Sequence, residues 1–120
     1  MSDSHFIEHG GRKIYYIDFT DSDVASIRQT VEKAKKDIAA EPKDSVLTMT
    51  NVADIKITPE LSNLMKDFTA HNKPYVKAGA VLGITGLKKV TFNAVLLFSG
   101  RRNLHLFESM DEAKNWLIKQ

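Results

Sequence analysis

The last third of the chain, from Val76 to Gln120, limits the fold most. Tyr75 to Ile84 is an apolar run rich in small residues, Ala78, Gly79, Ala80 and Gly83, which reads as a strand that another element crosses closely. Gly86 then turns the chain into a helix expected from Leu87 to Ser99 and closed by Gly100. Leu104 to Phe107 is a short strand. Ser109-Met110-Asp111-Glu112 is a capping box that opens a final helix, with Met110, Ala113, Trp116 and Leu117 expected to face the core. Strand, helix, strand, helix in that order predicts parallel pairing with right-handed crossovers, hence an α/β domain.

The preceding residues extend the same plan. His5 to His9 and Arg12 to Phe19 read as strands joined by a hairpin turn at Gly10-Gly11, where both residues can take positive φ. Thr20, Asp21, Ser22 and Asp23 offer caps for a helix that runs to about Ala40, with Val24, Ile27, Val31, Ala34 and Ile38 on one stripe. Ser45 to Val52 is the third strand. Thr58-Pro59-Glu60 opens the next helix, with Thr58 as cap and Pro59 at the first helical position. Leu61, Leu64, Met65 and Phe68 form its buried stripe. The 120 residues make a single domain with one core, a mostly parallel five-stranded sheet with an antiparallel N-terminal edge hairpin, and four helices.

Composition excludes several classes. No run of about 18 apolar residues is present, so no membrane span is expected. Cysteine is absent, which removes disulfide and thiol chemistry. With an N-terminus unlike a secretory signal, that suits a cytoplasmic protein. A net charge of +2 is too small for a nucleic-acid binder. Its distribution is uneven. No acidic residue occurs between Asp67 and Glu108, although that stretch holds six of the seventeen basic residues, Lys73, Lys77, Lys88, Lys89, Arg101 and Arg102. Eleven basic residues remain against fifteen acidic ones elsewhere, so one part of the molecule is cationic and the other mildly anionic.

Val81-Leu82-Gly83-Ile84, the helix ending Leu96-Leu97-Phe98-Ser99-Gly100-Arg101, and Leu106-Phe107-Glu108-Ser109 with Ala113 and Trp116-Leu117 resemble the SpoIIAA-like proteins of the STAS superfamily, small bacterial domains. The likeness covers nearly the whole chain in element order, and in residues it is specific from Val76 onward. It implies a β/α superhelix with helices mainly on one side of the sheet. It also implies a non-enzymatic regulatory or interaction role. Superfamily members include anti-sigma-factor antagonists, transporter tails and sensors, and lipid carriers share the fold. The antagonists carry a phosphorylated Ser just after an Asp at the start of the helix that follows the third strand. Here that place reads Asp54-Ile55-Lys56-Ile57-Thr58-Pro59, with no Ser. Thr58, already placed as a helix cap, is the corresponding phosphorylation candidate.

Other chemistry lacks its pattern. Gly79, Gly83 and Gly86 lie between a strand and a helix but miss the dinucleotide spacing, so close packing and a turn account for them. His5, His9, His71 and His105 never reach metal-ligand spacing. No nucleophile elbow, phosphate loop or thiol is present, and no catalytic residue or cofactor is expected.

The helix expected over 87–99 is the strongest functional element. Leu87, Val90, Ala94 and Leu97 form one apolar stripe, and Phe92, Val95, Leu96 and Phe98 fill further sides. A helix apolar nearly all round is either deeply buried or meets a partner. Lys88, Lys89, Arg101 and Arg102 flank it, which suits an anionic partner. If helices cover only one face of the sheet, Thr48, Thr50, Lys77, Gly79 and His105, with Tyr15 or Tyr16, share the other as an open surface or cleft wall. The resulting expectation is a homodimeric interaction domain that binds a protein partner or a small anionic amphiphile. Phe92 and Leu96 are at its centre, with Lys77, Lys88, Lys89, Arg101, Arg102 and His105 contributing. The alternatives are a lipid or fatty-acid carrier in which the same helix lids a cavity and, less favoured, a small-molecule enzyme.

Overall fold

A computed structural model describes residues 2–86 and 88–120. The element order is β1 (Asp3–His9), β2 (Arg12–Asp18), α1 (Val24–Ala39), β3 (Val46–Asn51), α2 (Pro59–Asn72), β4 (Val76–Leu82), α3 (Lys88–Ser99), β5 (Leu104–Phe107) and α4 (Met110–Leu117). Each helix whose start carries a capping residue begins where the sequence places it. Asp23 accepts from the Ser26 amide at 2.8 Å, Thr58 from Leu61 at 3.1 Å and Ser109 from Glu112 at 3.1 Å. Each bond satisfies a donor the first helical turn leaves free. Leu87, expected to open α3, lies outside the described residues.

The strands lie in the sequential order β1-β2-β3-β4-β5. β1 pairs antiparallel to β2, and the remaining three pairings are parallel. Three successive crossovers step the same way across the sheet. Because such crossovers share one hand, α1, α2 and α3 fall on one face. Ile27, Val31, Ala34 and Ile38 of α1 and Leu61, Leu64 and Phe68 of α2 pack there on Tyr15, Ile17, Val46 and Val81, with Phe92 of α3 against them. The other face carries α4, whose Ala113 and Leu117 pack on Ile14, Leu47, Met49, Ala78, Ala80 and Leu82.

That second layer corrects the face assignment made from sequence. Alternation along β3 and β4 turns Leu47, Met49, Ala78 and Ala80 towards α4, so Thr48, Thr50 and Gly79 face α2 and α3. His105 sits with α4, its ring 4.7 Å from that of Trp116. The polar and small positions therefore do not share an open face. Met110 also departs from expectation, being 36% exposed at the start of α4. No helix among the described residues is long and apolar enough to cross a membrane.

Tyr15 ties the hairpin to α1. Its ring is fully buried, and its hydroxyl donates to Asp37 Oδ2 at 2.6 Å and is bonded to Ser4 Oγ at 2.7 Å. Burial, then the bond to Asp37, holds the phenol well above its ordinary value. Tyr15→Phe should cost about 1–2 kcal/mol at neutral pH, because buried Ser4 loses its partner. A raised phenol pKa keeps its stabilisation below the unfolded value of about 10 and loses it as pH rises further. Urea midpoints of the two proteins should therefore converge between pH 9 and 11, and a constant gap would refute the assignment.

Candidate functional site

α3 is built with two apolar faces. At helical periodicity Phe92, Val95 and Ser99 fall on one side and Val90, Ala94 and Leu97 on the other. The helix packs chiefly against α2. Val95 and Ser99 are buried and Phe92 is half-buried, whereas Val90, Leu97 and Phe98 are 68%, 86% and 65% exposed. Lys66 of α2 places its ammonium 5.7 Å from the Phe98 ring. The glycines that bracket the helix, Gly83, Gly86 and Gly100, all have positive φ.

Beneath the inner face lies a cavity of about 100 Å³. Ile17, Thr48, Thr50 and Val81 of the sheet form its floor. Leu61, Met65, Phe68 and Thr69 of α2 form one wall, and Thr91, Phe92 and Val95 of α3 form the cover. Lys88 closes one end, with its ammonium donating to the Val52 carbonyl at 3.0 Å and the Gly83 carbonyl at 3.4 Å.

Arg101 closes the other end. Only 6% exposed, it is held from two sides: Nε donates to Asn103 Oδ1 at 2.9 Å and Nη1 to the Thr69 carbonyl at 3.3 Å. Asn103 is itself fixed through Nδ2 to the Val76 and Lys77 carbonyls at 2.8 and 3.0 Å. Nη2 is buried with no hydrogen-bond partner among the described residues. No ion pair reaches Arg101 among the described residues. Burial alone pushes its pKa down to about 10, so the guanidinium remains charged at neutral pH. Gly79 makes room for this arrangement. A Cβ there would stand 2.3 Å from Leu104 Cδ2, 2.8 Å from Thr48 Oγ1 and 3.8 Å from Arg101 Nη2.

The residues singled out from sequence separate into groups. Lys88, Phe92 and Arg101 meet around the cavity, and Leu96, Arg101 and Arg102 line an outer groove with Asp44, Lys73 and Leu97. Lys89 and Lys77 are exposed and line neither, and His105 belongs to the opposite face of the sheet. Thr58 caps α2 with its side-chain oxygen. Phe92 and Leu96, expected at the centre of an outward surface, are both half-buried, and the outward stripe is Val90, Ala94 and Leu97, with Phe98 exposed on its flank. Thr69 and Asn103 were not marked by any motif. The only hint was an amide side chain two residues after a basic one. No group of three metal-binding side chains occurs among the described residues.

Comparison of the chain with models of known families, with curated proteins and with solved structures finds no match in any of the three.

Proposed function

We propose that this chain is a STAS-type interaction module, not an enzyme, that docks through the outer stripe of α3 on a partner surface apolar at its centre and acidic at its rim. The exposure of Val90 and Leu97 on the outer side of α3, with Phe98 exposed on its flank, carries the reading. Large apolar side chains left in water on one helix face contribute about 1.5–3 kcal/mol each when a partner buries them, before association costs. The rim chooses the partner. Lys73 and Arg102 share the groove of Leu97 with one acid, Asp44, Lys66 reaches over Phe98 and Lys89 is exposed on α3, so cations outnumber acids beside the stripe. Two copies meeting stripe to stripe would oppose these like charges, which favours an acidic partner over the homodimer expected from sequence. The sequential strand order, with α1 to α3 on one face, suits the β/α superhelix of the STAS resemblance.

The carrier alternative draws support from the cavity, but its size limits it. About 100 Å³ is less than the roughly 150 Å³ that accommodates benzene, so a long acyl chain does not fit beneath α3 as it lies.

A photo-reactive amino acid in place of Ala94, which is exposed on the same side of α3 as Val90 and Leu97, should crosslink a partner from lysate, and the same residue in place of exposed Gln29 of α1 should not. Val90→Asp with Leu97→Asp in that protein should abolish capture and change the unfolding free energy from urea titration by no more than about 0.5 kcal/mol, as surface changes do. Unfolding of the double variant would show that the stripe is core. Crosslinking of a second copy of the chain would assign the stripe to a homodimer.

A further inference from the structure

We infer that the cavity beneath α3 binds a short-chain monocarboxylate, whose head is taken by Arg101 Nη2 and the Thr48 hydroxyl and whose tail lies against Phe92, Val95 and Phe68. The site is separate from the outer stripe and does not depend on docking there.

Charge points to an anion. A guanidinium shielded from water and unmatched by any carboxylate is costly, and an incoming anion both pairs the charge and occupies the free donor. Geometry points to the cavity. Nη2 and Thr48 Oγ1 both approach the position of the absent Gly79 Cβ, at 3.8 and 2.8 Å, with the Leu104 Cδ2 methyl nearer still at 2.3 Å, and all three residues line the cavity. Arg101 is also oriented in advance, because Asn103 and the Thr69 carbonyl hold its other two nitrogens. A carboxylate offers two acceptor atoms in a plane, which suits a guanidinium edge with a hydroxyl alongside.

Size and lining narrow the class. By comparison with the hole of roughly 150 Å³ that holds the six heavy atoms of benzene, the cavity of about 100 Å³ admits a ligand of about four to six heavy atoms, an acid of about two to four carbons. Phosphate or a dicarboxylate would need more donors than the site frees. The Lys88 ammonium is already bonded to two carbonyls, and the remaining wall is largely apolar. Asn103 is a positioning residue, since it acts on the ligand only through Arg101.

Titration of the ¹⁵N-labelled full chain with butyrate, butan-1-ol, octanoate and inorganic phosphate tests this. Butyrate should saturate, shifting the amides of Thr48, Gly79 and Phe92 and the Arg101 Nε–H. Butan-1-ol should bind at least about tenfold more weakly, because it lacks the charge-assisted pair. Arg101→Met should weaken butyrate by about ten- to a hundredfold on the same ground, with Asn103→Ala between the two. Val90→Asp with Leu97→Asp should bind butyrate as the wild type does, so failure of the docking reading leaves this one standing. Equal binding of butyrate and butan-1-ol by the wild type would reduce the site to an apolar hole and overturn the proposal, whether or not the Arg101 variant folds. Phosphate binding more tightly at the same amides, octanoate binding more tightly than butyrate, or absence of saturable butyrate binding would overturn it too.

Discussion

Gly83→Ala should destabilise the protein by about 2–6 kcal/mol, seen as a large fall in the urea midpoint. Gly83 has φ +88°, a region that L side chains rarely adopt, and a Cβ there would lie 2.4 Å from the Ala53 backbone nitrogen and 2.7 Å from its Cα. The strain of a non-glycine residue at such a φ is about 1–3 kcal/mol, and overpacking adds about as much, because backbone cannot step aside as a side chain can. Gly86 is the internal control. Its φ is +56°, but a Cβ would meet nothing within 4 Å, so Gly86→Ala should cost only about 1 kcal/mol. Equal losses at the two sites would mean that the chain crossing at Ala53 is not where the structure places it. The contact also bears on the cavity. It clamps the turn after β3 against the turn into α3, where Lys88 reaches the Val52 and Gly83 carbonyls. Loosening it should mobilise the lysine end of the cover first.

Arg101→Met should raise stability in the absence of ligand, by about 1–3 kcal/mol. A folded-state pKa lowered to about 10 by burial means that the charged form is disfavoured in the native protein at every pH below that value. Methionine has similar reach, fills the same space and carries no charge. The gain is reduced by losing two hydrogen bonds, to Asn103 and Thr69, each worth about 1 kcal/mol net. Thermal unfolding should show a Tm higher by a few degrees. A fall in Tm would identify Arg101 as a structural strut whose two bonds outweigh its desolvation. A rise would mark a residue kept at the expense of stability, as functional groups often are.

Local signals carried most of the fold. Thr58-Pro59-Glu60 and Ser109 to Glu112 each specify a helix start through bonds spanning three residues, and both start where those motifs place them. The small residues of β4 announced a close crossing, and Leu104, Thr48 and Arg101 crowd above Gly79. The site was legible only in part. α3 could be recognised as apolar on too many sides, but which side meets water depends on the helix's rotation about its axis, set by packing on α2. Phe92 therefore turned inward while Leu97 and Phe98 remained in solvent. The face of Thr48 and Thr50 depends on strand register, where a one-residue change exchanges inside and outside. Arg101 was hidden for a similar reason. A basic residue just past a helix end reads as surface, and its burial depends on Asn103, Thr69 and the register of β5 against β4.

The strands add to the sheet in the order in which the ribosome delivers them. Each new βα unit finds its docking edge already in place, and only α4 turns back to the opposite face. Such a chain can assemble vectorially during synthesis. The cavity is an exception to this gradual growth. Its floor comes from β3 and β4 and a wall from α2, but its guanidinium, that of Arg101, follows α3 and is oriented by Asn103, just before β5. A nascent chain stalled after β4 would present Thr48 and Val81 without the guanidinium, so the fold can begin early while recognition arrives only with the final quarter.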